Sequence, residues 1–541
     1  MPAPFLKQQI QEVPLKLVGG NNFGRYPKIS REETFNMIVS DEALVPYAGW
    51  FKALAIAEDV IGRALYSSQI GNLMLAVIGT VVYKINSNIQ LGTPPTSGSI
   101  ATSNSNVFMA ENNSYQILIT DGSYIYIYDY DNDIFYSSAP GASNPITWPY
   151  SGGPGYCSFQ DGRFVVAVNG TQNWALSLTG SVVGHTTDYF AIATTQTGVI
   201  QSKPGYIQAT VPMPGGGNNI LIMGDTVCES WQNVGAALFP YQRNSSFNID
   251  YGCLNPSSIA ALENFVVWLA VNEQSGPVIM VTQGSAIRTI STDGINFRLS
   301  NLTNPTNCSA ILFKQDGHMI YQFTFPDDNL SYAYDFNSSL FFTVTDEDLN
   351  YHPAKQIVFF NNDYYFVSFK DGHLYRFGTQ YTDAYYDETD VSVIPRIRVT
   401  PPLRLPTQRY YINKSLGFTV ENGLPNEKYN LMSQPGFTGT DITTEDSFLL
   451  LTEDDVQITT EQDLGASIMH QINSAWVGLS ISRDGGESFG STLRLDMNDT
   501  GHRKSRFIYQ RLGIANDSTF QLRFSGFNRF VAFDGVIEVY Q

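Results

Sequence analysis

The sequence predicts an all-β protein in which small sheets repeat around a ring. Three observations carry that expectation. One phrase recurs seven times between Gly62 and Gly378: a short apolar strand, a Gly or Asp-Gly turn, and a second strand rich in Tyr, Phe and Val. Apolar spacing of i, i+3, i+4 is confined to short stretches, whereas two-residue alternation is widespread. The composition, with 31 Tyr, 34 Phe, 45 Gly and 26 Pro, favours strands and turns. A unit this small cannot bury its own apolar face, so copies must stack, most economically in a closed ring. The expected fold is a six- or seven-bladed β-propeller with an additional C-terminal β-sandwich-like domain.

The elements follow in chain order. Residues 1–50 read as a lead-in with little periodicity and two turn clusters, VGGNNFGRYP and SDEALVPYAGW. Residues 51–385 hold the propeller. Its clearest copies are NLMLAVIGTVVYKIN at Asn72–Asn86, YQILITDGSYIYIYDYD at Tyr115–Asp131 and YYFVSFKDGHLYRFG at Tyr364–Gly378. Further copies start at Arg163, Asn219, Val278 and His318. The spacing of roughly 40–60 residues suits one small sheet per repeat. Hairpins near Gly317 and Gly372 can share or split a blade, which leaves six and seven both open. Residues 386–541 form the third region. Its opening, VIPRIRVTPPLRLPTQRYY, carries prolines that suit an edge strand or a linker rather than a central strand. Alternation resumes after Lys414 and runs to the end.

A length of 541 residues suits about two to four domains. A formal net charge of −19 argues against nucleic acid as a tightly held ligand, because phosphate contacts need Lys and Arg to release counterions. DNA that merely passes is compatible with it: carboxylates repel a duplex over about 8–10 Å. No window reads as a signal peptide or a membrane span, so folding in a cytosol is the expectation. Cys157, Cys228, Cys253 and Cys308 lack metal-ligand spacing and read as buried free thiols, a Cys228–Cys253 bridge being the alternative.

Several motifs bear on chemistry. SRDGGESF at Ser482–Phe489 fits the Asp-box pattern S-x-D-x-G-x-x-F. There Asp484 can accept backbone N–H bonds across a turn that Ser482 opens, Gly486 supplies positive φ, and Phe489 anchors the loop. Such a turn is a fold device. DYDND at Asp129–Asp133 spaces three carboxylates like a calcium loop, but Ile134 and Pro140 stand where Gly and Glu are needed, which favours a solvated turn. Glu445, Asp446, Glu453, Asp454, Asp455, Glu461 and Asp463 make a dense acidic stretch that reads either as a solubilising face or as a channel or rim lining. The six histidines are scattered without ligand spacing, and no G-x-S-x-G, HExxH or P-loop occurs. No catalytic residue, metal site or cofactor is assigned, and the protein is not expected to be an enzyme.

The order of the pieces resembles the packaged-DNA stabilisation proteins of short-tailed bacteriophages, which form the tail nozzle or hub. The resemblance is carried by ETFNMIVSDEALVPYAGW (Glu33–Trp50), DGRFVVAVNGTQNWALSL (Asp161–Leu178) and ILIMGDTVCESWQNVGAALFPYQR (Ile220–Arg243). It continues through Cys253–Thr292 and the closing Ser482–Gly526. The chain is longer and more acidic than that pattern, and Val391–Gln471 has no clear counterpart in it. The resemblance implies a virion tail protein, assembled in the bacterial host cytoplasm as a ring of six copies below the portal and its adaptor. It implies contacts with the adaptor and with a tail needle, fibre or spike, and passage of genomic DNA without tight binding. It also implies retention of the packaged genome and guidance of its ejection.

Two other classes compete with this reading. A glycan-binding or glycan-cleaving tail protein would use the Asp-box and the aromatic load, yet no arginine cluster suited to a sugar carboxylate is visible. A scaffold propeller that binds peptides would not need the lead-in or the C-terminal module. If the acidic stretch lines a DNA channel, joint replacement Glu453→Gln, Asp454→Asn and Asp455→Asn slows ejection in a bulk DNA-release assay. Unchanged kinetics would put these residues on an outer surface.

Overall fold

Strands of four to nine residues dominate because apolar β-branched and aromatic residues come in short runs between turn residues. The computed structural model describes all residues except 1–9, 24–31, 214–216, 285, 387–390, 407–408, 425–474, 498–503, 527–528 and 541. Two compact units result. One comprises Lys52–Asn337 and Asn350–Phe377, the other Met1–Phe51, Ser338–Leu349 and Gly378–Gln541.

Seven antiparallel sheets make up the first unit among the described residues. The first joins Gly62–Ser67, Met74–Ile78, Val81–Ile85 and Leu91–Ser99. The second joins Phe108–Glu111, Gln116–Thr120, Ile125–Asp129 and Ile134–Ser137. The third and fourth open on Pro154–Gln160 and Ile207–Pro212, the fifth on Gly252–Cys253 and Ala260–Leu262. The sixth opens on Ser309–Gln315 and the seventh on Ala354–Phe360. These first strands neighbour one another round a ring from the first sheet to the fourth, and from the fifth back to the first. Between the fourth and fifth sheets a shared core of Met223, Cys228, Cys253 and Trp268 completes the circle.

The apolar runs are continuous because each second strand is buried on both faces. In Met74–Ile78, Met74, Ala76 and Ile78 pack toward Tyr365 and Val367 of the seventh sheet. Leu75 and Val77, alternating with them, pack toward Ile117 and Ile119 of the second. The same split recurs in Asn219–Gly224: Ile220 and Ile222 meet the third sheet, Leu221 and Met223 the fifth. Burying each such side chain stabilises by about 1.5–3 kcal/mol. Polar groups add links from sheet to sheet. Thr120 Oγ1 donates to Gly155 O at 2.7 Å, Tyr321 OH to Ser258 O at 2.8 Å and Ser309 Oγ to Lys355 O at 2.6 Å.

The hairpin turns match their sequences. Asp316 and Gly317 both hold positive φ, 47° and 87°, as a two-residue type I′ turn requires. One copy of the repeated phrase occupies a different place. The hairpin from Val278 supplies the third and fourth strands of its sheet, whereas the others supply the second and third. Phe265–Val271 takes the second position there, and its partner on the inner side is broken into two short strands. The ring closes with N-terminal chain: the strand Gly49–Ala57 lies beside Gly372–Gly378 as the fourth strand of the seventh sheet. Across that seam the Ile56 N–H reaches His373 Nδ1 at 3.4 Å, and Glu58 stands 3.5 Å from His373 Nε2.

The second unit packs two sheets around one core. Ile10–Leu15, Gly535–Tyr540, Tyr411–Leu424, Arg529–Ala532, Ala43–Pro46 and Met37–Ser40 form one sheet in that order, with Ser505–Ala515 also on Tyr411–Leu424. Leu340–Thr343, Glu33–Phe35, Arg396–Val399, Thr519–Ser525, Trp476–Ser482 and Leu493–Asp496 form the other. Leu416, Phe418, Ile537, Leu479, Leu522 and Phe524 fill the space between. The unit is therefore not confined to residues 386–541. The stretch read as a separate lead-in, residues 1–50, contributes four strands to it.

Arg396–Val399 corrects the proline argument. It is a central strand, paired to Glu33–Phe35 on one side and Thr519–Ser525 on the other. Pro395 and Pro401 lie just beyond its ends, so no ladder N–H is lost. Its arginines are buried. Arg398 donates to Leu17 O at 2.6 Å, Gly20 O at 3.1 Å and Thr34 Oγ1 at 3.0 Å, and pairs with Glu32 at 2.5 Å. Burial lowers the guanidinium's pKa while Glu32 opposes the shift.

Two substitutions check this packing. Ile222→Ala is expected to cost about 2–5 kcal/mol, seen as a lower urea midpoint at unchanged slope. Arg398→Met, which leaves Glu32 and three acceptors without their donor, is expected to cost ~3–5 kcal/mol.

Candidate functional site

The inner strands of the ring line a cavity of about 110 Å³ that is partly open to solvent. Its walls come from the first, second, third, fifth, sixth and seventh sheets, and include Arg63, Asn106, Tyr156, Ser257, Ser309 and Lys355. Arg63 is 2% exposed. Its Nη1 donates to Gly79 O and Thr102 O at 2.9 and 2.5 Å, and its Nη2 to Ser105 O at 2.7 Å. These bonds tie down the segment before the second sheet. Asp121 stands behind it, accepting from Thr102 Oγ1 at 2.9 Å and Tyr126 OH at 2.8 Å. Gln356 Oε1 accepts from Leu65 N–H at 2.9 Å and joins the seventh sheet to the first. No sequence pattern marked Arg63 or Lys355. Each is a lone cation at the start of an apolar strand, and the neighbours that give it meaning lie far away in the chain.

The predicted turn at Ser482–Phe489 connects Trp476–Ser482 to Leu493–Asp496 in the second unit. Asp484 Oδ1 accepts from Glu487 N–H at 3.1 Å and Ser488 N–H at 3.0 Å, and its Oδ2 from Ser488 Oγ at 2.5 Å. Ser482 Oγ donates to Asp484 at 2.6 Å and accepts from Gly486 N–H at 2.8 Å. Gly485 and Gly486 both hold positive φ, 77° and 93°. Phe489 is half-buried. Hydrogen bonds from Ser482 and Ser488 hold the Asp484 carboxyl well below the usual carboxylate range. All the donors to Asp484 come from its own loop, so the arrangement shapes a turn.

Glu445, Asp446, Glu453, Asp454, Asp455, Glu461 and Asp463 lie outside the described residues. In DYDND the outer carboxylates have separate partners. Asp129 accepts from Gln116 Nε2 at 3.1 Å and Asn132 N–H at 3.0 Å, while Asp133 pairs with Lys84 at 3.1 Å and takes the Tyr128 hydroxyl at 2.7 Å. His352 is enclosed, and burial pushes its pKa down to about 3. His318 contacts Asp335 at 3.0 Å. The four thiols are free and buried, so Cys228 and Cys253 share a core without a bridge. Among the described residues no group of three or more His, Cys, Asp or Glu is placed to hold a metal ion, and no helix is long and apolar enough to cross a membrane.

Small antiparallel sheets stacked radially around a narrow axis, with the last sheet completed by N-terminal chain, define a β-propeller. Residues 57–381, more than half of the chain, match the family described as bacteriophage P22 Gp10, β-propeller, and the chain belongs to that family. It is thus a structural protein of a bacteriophage. No curated protein matches the chain. Similar solved structures include the computationally designed Ika8 protein, at 12% identity and a TM-score of 0.34, covering 67% of this chain and 99% of that one. The mitotic checkpoint complex gives 12% identity and 0.38, covering 62% and 94%. The N-terminal domain of Nup159 gives 9% and 0.35, covering 69% and 96%.

Replacing Asp484 tests the turn. Asp484→Ala should speed amide hydrogen exchange at Glu487 and Ser488 and leave the strands of the ring unchanged. Because the folded carboxyl titrates below its unfolded value, its contribution is present above about pH 4 and fades as the pH falls further. The exchange difference between wild type and variant should narrow in the same direction.

Proposed function

We propose that this chain builds the tail nozzle, or hub, of a short-tailed phage: a ring of six copies below the portal and its adaptor. The ring extends the DNA channel, retains the packaged genome and guides its ejection, and its far end carries a needle, fibre or spike. The family match over residues 57–381 is the observation that carries this reading.

Physical features of the chain support it. A duplex whose major groove alone is about 12 Å wide cannot enter a cavity of about 110 Å³. The conduit must therefore run between copies, which is what a multi-copy ring provides. A closed propeller has few free strand edges and makes a stiff wall element. Six copies multiply a formal charge of −19, and a wall of that sign lets DNA slide past without adhering.

Deleting the gene from the phage that encodes it and imaging the particles tests the proposal. Heads that package and then lose DNA, on tails that stop at the adaptor, are expected. Full heads on complete tails that fail only to adsorb would overturn it in favour of a glycan-directed role.

A further inference from the structure

The centre of the ring is positive in a chain whose 50 carboxylates outnumber its 31 Lys and Arg. Arg63 and Lys355 both line the cavity, and no Asp or Glu lines it. The two cations are held differently. Arg63 spends its donors on backbone carbonyls and hydroxyls, and Asp121 answers its charge from behind Thr102. Lys355 Nζ stands 5.5 Å from the centroid of the Phe369 ring. Among the described residues its ammonium meets no carboxylate and no hydrogen-bond acceptor. Two neutral donors, the Asn106 amide and the Ser257 hydroxyl, line the same cavity, also without side-chain partners among the described residues.

We propose that this cavity binds one small tetrahedral oxyanion, phosphate or sulfate, with Lys355 Nζ as its charged ligand and Asn106 and Ser257 as neutral donors. Arg63 contributes its field from the neighbouring inner strand, Gly62–Ser67. The volume of about 110 Å³ is several times what one water molecule needs, enough for such an ion and too little for a nucleotide. Partial burial of Lys355 among these strands reduces screening and strengthens the attraction between ammonium and anion, while the exposed Asn106 stands where the cavity opens to solvent. This role is separate from the ring's part in a virion.

Protonation links the site to pH. Burial, with Arg63 adding to it, pushes the Lys355 ammonium down to about 8 from 10.5. The other titratable groups on the walls are Tyr156 and Cys157, whose hydroxyl and thiol are both pushed up by burial and stay neutral near pH 7. The empty folded state therefore binds fewer protons than the unfolded chain between about pH 8 and 10.5, and the lysine's penalty is relieved as pH rises through that window. A bound anion has the opposite preference, so its affinity falls by up to about tenfold per pH unit above 8.

Sulfate, which does not titrate in this range, is the probe. At fixed ionic strength it should raise the thermal midpoint of the whole chain saturably, with one ion bound per chain in equilibrium dialysis. Lys355→Met should abolish both effects while folding at least as stably as wild type at pH 7, and Asn106→Ala should weaken binding several-fold. Thymidine monophosphate should not compete. A shift that does not saturate, or that persists in Lys355→Met, would reduce the effect to general salt and overturn the site. Equal competition by the nucleotide would place the anion on an open surface and also overturn it. Should Lys355→Met fail to fold, dialysis of the wild type decides: no binding at pH 7, or binding indifferent to pH between 7 and 9.5, ends the proposal.

Discussion

The ring depends on burial of both faces of its short sheets. A strand such as Met74–Ile78 presents one set of side chains to the sheet before it and the alternate set to the sheet after it. No sheet in the unit can therefore exist with a single neighbour without exposing half its apolar side chains, and the energy lies in the seams. Closing the last seam is demanding, because Ile56 and His373, which meet there, are 317 residues apart in sequence. Contacts of that separation are slow to form, since loop-closure entropy must be overcome before they contribute. The same topology makes the finished ring resistant to local opening, since a sheet that leaves breaks two cores at once.

The second unit solves a different problem. Its central strand carries buried arginines between two prolines, and Arg398 draws Leu17, Gly20, Glu32 and Thr34 onto one guanidinium. A buried ion pair is weak evidence for net stability when both partners together are compared with apolar residues of equal volume, although removing one partner alone is costly. What Arg398 supplies is geometric: five donors in a fixed plane fit one arrangement of the N-terminal chain. Polarity thus sets register here, while apolar alternation sets it in the ring.

How much of this was legible follows from where each signal resides. The hairpins were readable because their information is local: apolar alternation on either side of Asp-Gly or Gly turns, as at Asp316–Gly317. The displaced copy at Val278 looked like the rest because position within a sheet depends on which strand it pairs with. The proline reading of residues 393–411 failed by a residue or two, since Pro395 and Pro401 bracket the four-residue strand instead of interrupting it. The contribution of residues 1–50 to the second unit was hidden, because its partners begin more than three hundred residues later. Lys355 carried no local mark at all. Its character comes from Arg63, Phe369 and the walls around it, gathered from sheets at opposite ends of the ring's sequence.

The four cysteines have a chemical consequence. Each is buried, and burial pushes the thiols of Cys157 and Cys253 up to about 12. At neutral pH the reactive thiolate is then on the order of one part in 10⁵, and an oxidant or a second thiol finds nothing exposed to attack. The fold neither forms a disulfide for its integrity nor offers one to a neighbouring chain. A particle component built this way can pass from a reducing cell interior to an oxidising exterior with its covalent structure unchanged.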